Sequence, residues 1–280
     1  MPEGPEIRRA ASRIAKVLET KVIDDAFFAQ PHLHNSANAI VGERVVNVTS
    51  FGKAIVTSFG NGLHLYSHNQ LYGRWYVARR GSLPRTNRSL RVALHTDSHS
   101  ALLYSASEIE LLDEAGLAAH AYLAKLGPDA LDAAVVWRDI AARLQDRRFR
   151  RRSLAALFLD QGFVAGIGNY LRSEILHAVG LHPSLRPTDL TRAQTGQLAR
   201  ATLEITRLAY QTAGVTNSKR RVAALQKQGK SRSEYRFMVF GRENRACYQC
   251  GNPIVRIEAN SRRLYLCERC QPAAEPPARP

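Results

Sequence analysis

No stretch of this 280-residue chain approaches the roughly 20 apolar residues that a membrane-spanning helix needs, which excludes an integral helical membrane protein. No secretory leader is expected either: Glu3 and Glu6 stand where its basic region would be, and no apolar run follows. A cytoplasmic protein with no membrane association is therefore expected. Acidic residues are in short supply. The 24 Asp and Glu face 40 Lys and Arg, giving a formal net charge of +16 and an isoelectric point near 10.2. An excess of this size points to a polyanionic partner, because each phosphate neutralised by a cation releases condensed counterions. A basic enzyme with no such partner is the competing reading. Internal repeats are absent. Hydrophobic residues at 45% and a mean hydropathy of -0.28 describe an ordinary globular chain, long enough to bury a substantial core.

Cysteine is scarce, and its placement is informative. The four fall as Cys247-x2-Cys250 and Cys267-x2-Cys270, with sixteen residues between the pairs. Each C-x-x-C lets two thiolates from one tight turn reach a single tetrahedral metal, and two such turns close the site. One structural Zn2+ is the expectation, because four thiolates leave no open position for substrate. Two disulfides are the alternative, disfavoured in a reducing compartment.

Apolar positions Ile7, Ala10, Ala11, Ile14, Val17 and Leu18 repeat at helical spacing and predict a helix over residues 5–19. Short runs then follow at 21–28, 44–49, 54–58, 63–67, 74–78, 90–95 and 101–104, punctuated by Gly52, Gly60, Asn61, Gly62 and Gly81. That pattern predicts a β-sandwich or barrel. Beyond residue 107 helices are expected near 131–145, 153–161, 169–179 and 191–212. Residues 213–234 are polar and basic and read as a mobile connection, and the Pro/Ala-rich end reads as disordered. The fold class is thus α+β, with a helix-led β-sandwich at 1–125, a helical domain at 126–212, the connection at 213–234, a zinc hairpin at 235–271 and a tail at 272–280.

The first residues, Pro2-Glu3-Gly4-Pro5-Glu6, can be read simply as a helix start, with Pro5 in the first turn and acids matched to the dipole. Lys53 after Gly52 would ordinarily be a solvated turn lysine. Leu71 and Tyr72 would ordinarily be core. Gly166-x-Gly168-Asn169 follows a helical run, not a strand, so it is no dinucleotide fingerprint. It is a phosphate-binding helix start or merely a pair of helix caps.

These segments together resemble the formamidopyrimidine-DNA glycosylase and endonuclease VIII family. The opening Met-Pro-Glu-Gly-Pro-Glu-Ile, then Phe51-Gly52-Lys53-Ala54, Ser67 to Gly73, Leu126 to Asp129, Asp160-Gln161 with Gly166 to Arg172, and the zinc hairpin occur in family order from residue 2 to residue 270. The resemblance implies a base-excision-repair DNA glycosylase with AP lyase activity, acting as a monomer on double-stranded DNA that carries oxidised bases or abasic sites. Pro2, freed of Met1, would be the nucleophile. Glu3 would be the general acid and base, with Glu6 assisting proton traffic or only matching the dipole. Lys53 would contact the lesion phosphate and donate a proton in β-elimination. Arg262 would grip phosphate and donate in δ-elimination, with Arg263 its neighbour in case of a one-residue slip. Gly168 and Asn169, in a helix-two-turns-helix motif, would bind phosphate. Lys125 stands where relatives carry a DNA-touching arginine, without that residue's planar fork. The consecutive trio Gln70, Leu71 and Tyr72 resembles the wedge of the endonuclease VIII branch, whose substrates are oxidised pyrimidines. The sister branch, directed to 8-oxoguanine and formamidopyrimidines, and a non-catalytic damaged-DNA-binding protein are the alternatives.

Overall fold

The computed structural model describes residues 2–273. Met1 and residues 274–280, most of the tail expected to be disordered, lie outside the described residues. The chain forms two compact units, Met1–Leu126 and Gly127–Pro280.

In the first unit, α1 (Gly4–Leu18) buries the stripe Ile7, Ala10, Ala11, Ile14 and Leu18 and leaves Arg13 and Lys16 in solvent. Pro5 suits its first turn, where an N–H would find no partner. The helix ends at Glu19, before Thr20 at φ 66. Its apolar face packs on β2 (Val45–Phe51), β3 (Ala54–Phe59), β5 (Arg74–Arg79) and β7 (His99–Tyr104). The remaining strands are β1 (Asp25–Phe28), β4 (His64–His68), β6 (Leu90–His95) and β8 (Glu108–Leu112). They form two antiparallel four-stranded sheets, ordered β1-β6-β7-β5 and β2-β3-β4-β8. One core joins α1 to both sheets through Ile14, Phe28, Val48, Ile55, Trp75 and Leu103. Each large side chain taken out of water there contributes about 1.5–3 kcal/mol. Strand β8 was not expected from the sequence. Its Glu-Ile-Glu-Leu-Leu is charged and short, and only Ile109 is fully buried. Pairing with β4 makes it a strand. The short helix α2 (Glu114–Ala119) follows, capped by the Asp113 carboxylate.

The second unit holds α3 (Trp137–Gln145), α4 (Leu154–Leu157), α5 (Asn169–Ala178) and α6 (Arg192–Gln211) around a separate core that includes Ile140, Phe163, Leu171 and Leu198. The segment expected as a basic connection carries α7 (Lys219–Lys227) and α8 (Arg232–Tyr235). Ser218 caps α7, and Leu225 supplies its buried anchor. A single apolar contact in so polar a run gives too weak a periodicity to be read in advance. The antiparallel hairpin β9 (Val255–Ala259) and β10 (Arg262–Leu266) closes the unit.

Candidate active site and nucleic-acid interface

A cleft of about 260 Å³ opens at the start of α1 and is lined by Pro2, Glu6, Arg13, Leu71, Tyr72, Arg74 and Arg88, among others. Glu6 is its one lining acid against three arginines, so the cleft favours an anionic ligand. The Glu6 carboxylate accepts the Glu3 backbone N–H at 3.1 Å, which fixes the first turn. Glu3 itself is buried, at 3% exposure. Pro2, Glu6, Leu71 and Tyr72 are therefore brought together on one cavity.

Lys53 lies on the tight turn between β2 and β3. Gly52 takes φ 58 there, a conformation that favours glycine, and the strands re-pair at once through Phe51 and Ala54. The Lys53 backbone N–H donates to the Tyr122 hydroxyl at 3.0 Å, and the Tyr122 ring meets His68 edge-on at 5.3 Å. Burial holds the His68 imidazole below the ordinary histidine range. The Lys53 charge adds to that, and Glu108 opposes it. His68 therefore stays neutral, and its Nδ1 accepts the Gln70 backbone N–H at 3.1 Å.

The loop Asn69–Gly73 is a closed turn, with the Gly73 N–H on the Asn69 carbonyl at 2.7 Å. A Cβ at Gly73 would lie 2.5 Å from that same carbonyl oxygen, so only glycine fits. Gln70 sits at φ 45. Leu71 and Tyr72 are 56% and 69% exposed, so they are not core residues. The Arg88 guanidinium bonds the Tyr72 carbonyl and braces the loop from outside. His68, Tyr122, Arg88 and Glu108 escaped the sequence reading. His68 lies inside the Ser67 to Gly73 run, but nothing in that run reveals its partners. Lys125 is exposed on the short turn Leu123–Lys125 that follows Tyr122.

In the second unit, the loop before α5 turns on Gly166 at φ 86 and is braced by Gln161. The Gln161 amide accepts from the Gly166 N–H at 3.0 Å and donates to the Ile167 carbonyl at 2.9 Å. Gly168 and Asn169 then open α5, where backbone N–H groups and the helix dipole suit a phosphate. Arg172, fully buried, donates to the Asn169 side-chain oxygen at 2.7 Å and to the Ala259 and Arg263 carbonyls at 3.3 Å. It thereby ties Asn169 to the tip of the β9–β10 hairpin. Asn260 and Ser261 form that tip at φ 56 and 55, which places the exposed Arg262 immediately after the turn.

The four cysteines converge. Their sulfur atoms all lie within 4.8 Å of one another, with Cys247 to Cys270 at 3.9 Å and Cys250 to Cys267 at 3.4 Å. No disulfide joins them. A tetrahedral ion with metal–sulfur bonds near 2.3 Å would need sulfur atoms roughly 3.8 Å apart, so the donor set fits one four-thiolate metal. Buried His177 on α5 places its Nε2 3.5 Å from the Cys247 sulfur. Burial first, then Arg221 and Arg242, push its imidazole down to about 4, so the neutral ring can donate to a thiolate. Gln271 anchors the same module, accepting from the Cys267 N–H and donating to the Leu181 carbonyl.

Known proteins share both the sequence and the architecture. Residues 1–107 match the formamidopyrimidine-DNA glycosylase N-terminal domain, residues 126–220 the H2TH domain of the same enzyme, and residues 246–273 the zinc finger found in FPG and IleRS. Endonuclease 8 of Enterobacter sp. (strain 638) is 44% identical over 271 residues, covering 97% of this chain and 100% of the relative. The Escherichia coli endonuclease 8 is 45% identical over the same coverage. The Lactococcus lactis Fpg, solved in complex with DNA containing an abasic site, superposes with a TM-score of 0.78 at 22% identity, covering 97% of this chain and all of that one. The chain belongs to the formamidopyrimidine-DNA glycosylase family, on its endonuclease 8 branch.

Proposed function

We propose that this protein is a bifunctional DNA glycosylase and AP lyase that removes oxidised pyrimidines from double-stranded DNA. Full-length identity of 44% to endonuclease 8 carries this reading, and the cationic cleft around Pro2 supports it. With Met1 removed, Pro2 presents a secondary α-amine, and α-amines are in general weak enough bases that a useful fraction is neutral at physiological pH. Its nitrogen attacks the anomeric carbon as the glycosidic bond breaks and the electron pair departs with the base. Glu3 protonates the sugar ring oxygen, the ring opens as the C1′–O bond breaks, and an iminium ion forms between C1′ and the proline nitrogen. Proline nitrogen has no second hydrogen, so this iminium cannot relax to a neutral imine. It remains an electron sink for loss of the two flanking phosphates in turn. Lys53 is the proton donor for the first elimination and Arg262 for the second. Glu6 holds the first turn in place. Asn169, with the α5 amides, and Lys125 hold DNA backbone, while Gln70, Leu71 and Tyr72 occupy the space that an everted nucleotide leaves. Cys247, Cys250, Cys267 and Cys270 bind a single structural Zn2+, which supplies no chemistry to the reaction and fixes the hairpin bearing Arg262.

Borohydride, which reduces the iminium, is expected to trap a covalent complex with thymine-glycol DNA. Pro2→Gly and Glu3→Gln should each lower excision at least about 100-fold. Failure to trap, in protein whose N-terminus is verified as proline by mass, would leave only a damage-binding protein. Faster excision of 8-oxoguanine opposite cytosine than of thymine glycol would move the assignment to the purine-directed branch.

A further inference from the structure

The amide of Gln70 is held at both ends. Its Nε2 donates to Glu108 Oε2 at 2.7 Å, and its Oε1 accepts from the Ser107 hydroxyl at 3.1 Å. The other Glu108 oxygen accepts from the Tyr66 hydroxyl at 3.0 Å. The β4–β8 register creates this arrangement, since it sets His68 opposite Glu108 and Tyr66 two residues along the same strand. A carboxylate can only accept, so the –NH2 end of the amide must face Glu108. Exchanging the two ends would lose the Glu108 bond and set a carbonyl against an anion, while the Ser107 hydroxyl could turn to accept. Burial and the Glu108 charge push the Tyr66 phenol up, so Tyr66 remains the donor in this pair.

We propose that Glu108 is a specificity-determining positioning residue that locks the Gln70 amide in one orientation and so sets which purine is preferred opposite the lesion. The proposal rests on the reading of Gln70, Leu71 and Tyr72 as the segment that enters the vacated position in the duplex. A polar side chain inserted there meets the pairing edge of the orphaned base. Adenine offers a donor beside a ring-nitrogen acceptor, and guanine offers an acceptor beside a ring N–H donor. An amide has a donor end and an acceptor end, so one fixed orientation matches one purine and opposes the other. A freely flipping amide serves both. An anion set beside a loop that meets polyanionic DNA is otherwise unfavourable, and this role accounts for its place.

The test is single-turnover excision of one thymine glycol placed opposite adenine or opposite guanine. The ratio of the two rates is internal to each variant, and cleavage of a single-stranded abasic oligonucleotide counts active molecules. Wild type should prefer one purine. Glu108→Gln, whose own amide can face either end of Gln70, should move the ratio toward one by about fivefold or more. Ser107→Ala should move it in the same direction by less, and Gln70→Ala should abolish the preference. A wild-type ratio of one overturns the proposal. So does an unchanged ratio in Glu108→Gln while Gln70→Ala loses the preference, a result that leaves the inserted-segment reading intact. An unchanged ratio in Gln70→Ala sinks that reading itself.

Discussion

A single proton on His68 decides whether its Nδ1 can accept the Gln70 N–H, one of several contacts that hold the loop after β4. Its Nδ1 lone pair accepts the Gln70 N–H, and burial with the nearby Lys53 charge keeps the ring neutral. Because the folded form binds this proton more weakly than the unfolded chain, the contribution is present above the ordinary value of about 6.5 and is lost as pH falls through the lower folded value. The expected outcome is a His68 ring resonance that titrates below the free imidazole, with the Gln70 amide losing hydrogen-exchange protection over the same interval. Protection that persists after the ring titrates would show that the loop is held by its side-chain contacts instead. Pro2, Glu3, Lys53 and Gln70 could be singled out as candidates in the sequence because short motifs carry them. The hold on Gln70 was not, because Glu108 lies 38 residues away and meets it only through strand register.

Helix α5 illustrates how an element is fixed by what docks on it. Glu174, buried in that helix, accepts the backbone N–H groups of Met238, Val239 and Phe240 at 2.8–2.9 Å and the Thr216 hydroxyl. Burial pushes its carboxyl up, and these donors work against that by stabilising the anion. Glu174→Ala would strand three N–H groups, that of buried Val239 among them, and should cost about 3 kcal/mol, read by chemical denaturation. A loss under about 1 kcal/mol would mean that water satisfies those groups. The helix was predictable over 169–179 from its apolar pattern. Its charged interior was not, since Arg172, Glu174 and His177 look like solvent-facing residues until the hairpin and the 238–240 segment cover them. Strand β8 shows the opposite failure: a charged sequence that only a neighbouring strand makes extended.

At the scale of the molecule, two cores stabilise two units, and the metal site belongs to one of them. Removing the metal with a chelator should lower the calorimetric transition of the second unit and leave that of the first in place. It should also weaken binding to duplex DNA and reduce its salt dependence, because the hairpin carrying Arg262 loses its clasp. Equal shifts in both transitions would show that the units fold as one. The excess positive charge needs no such clasp, being a property of composition.

What the linear chain determined by itself is everything local: the α1 stripe, the glycine turns, the cysteine spacing, the charge imbalance and the short runs that carry Pro2, Lys53 and Asn169. These follow from backbone sterics and from periodicities a few residues long. Only the folded molecule decided which side chains confront one another across strands and helices. The Glu108–Gln70 bond, the neutrality of His68 and the Arg172 link to the hairpin arise from such meetings. Contacts of that kind depend on register and burial, and no window of neighbouring residues contains either.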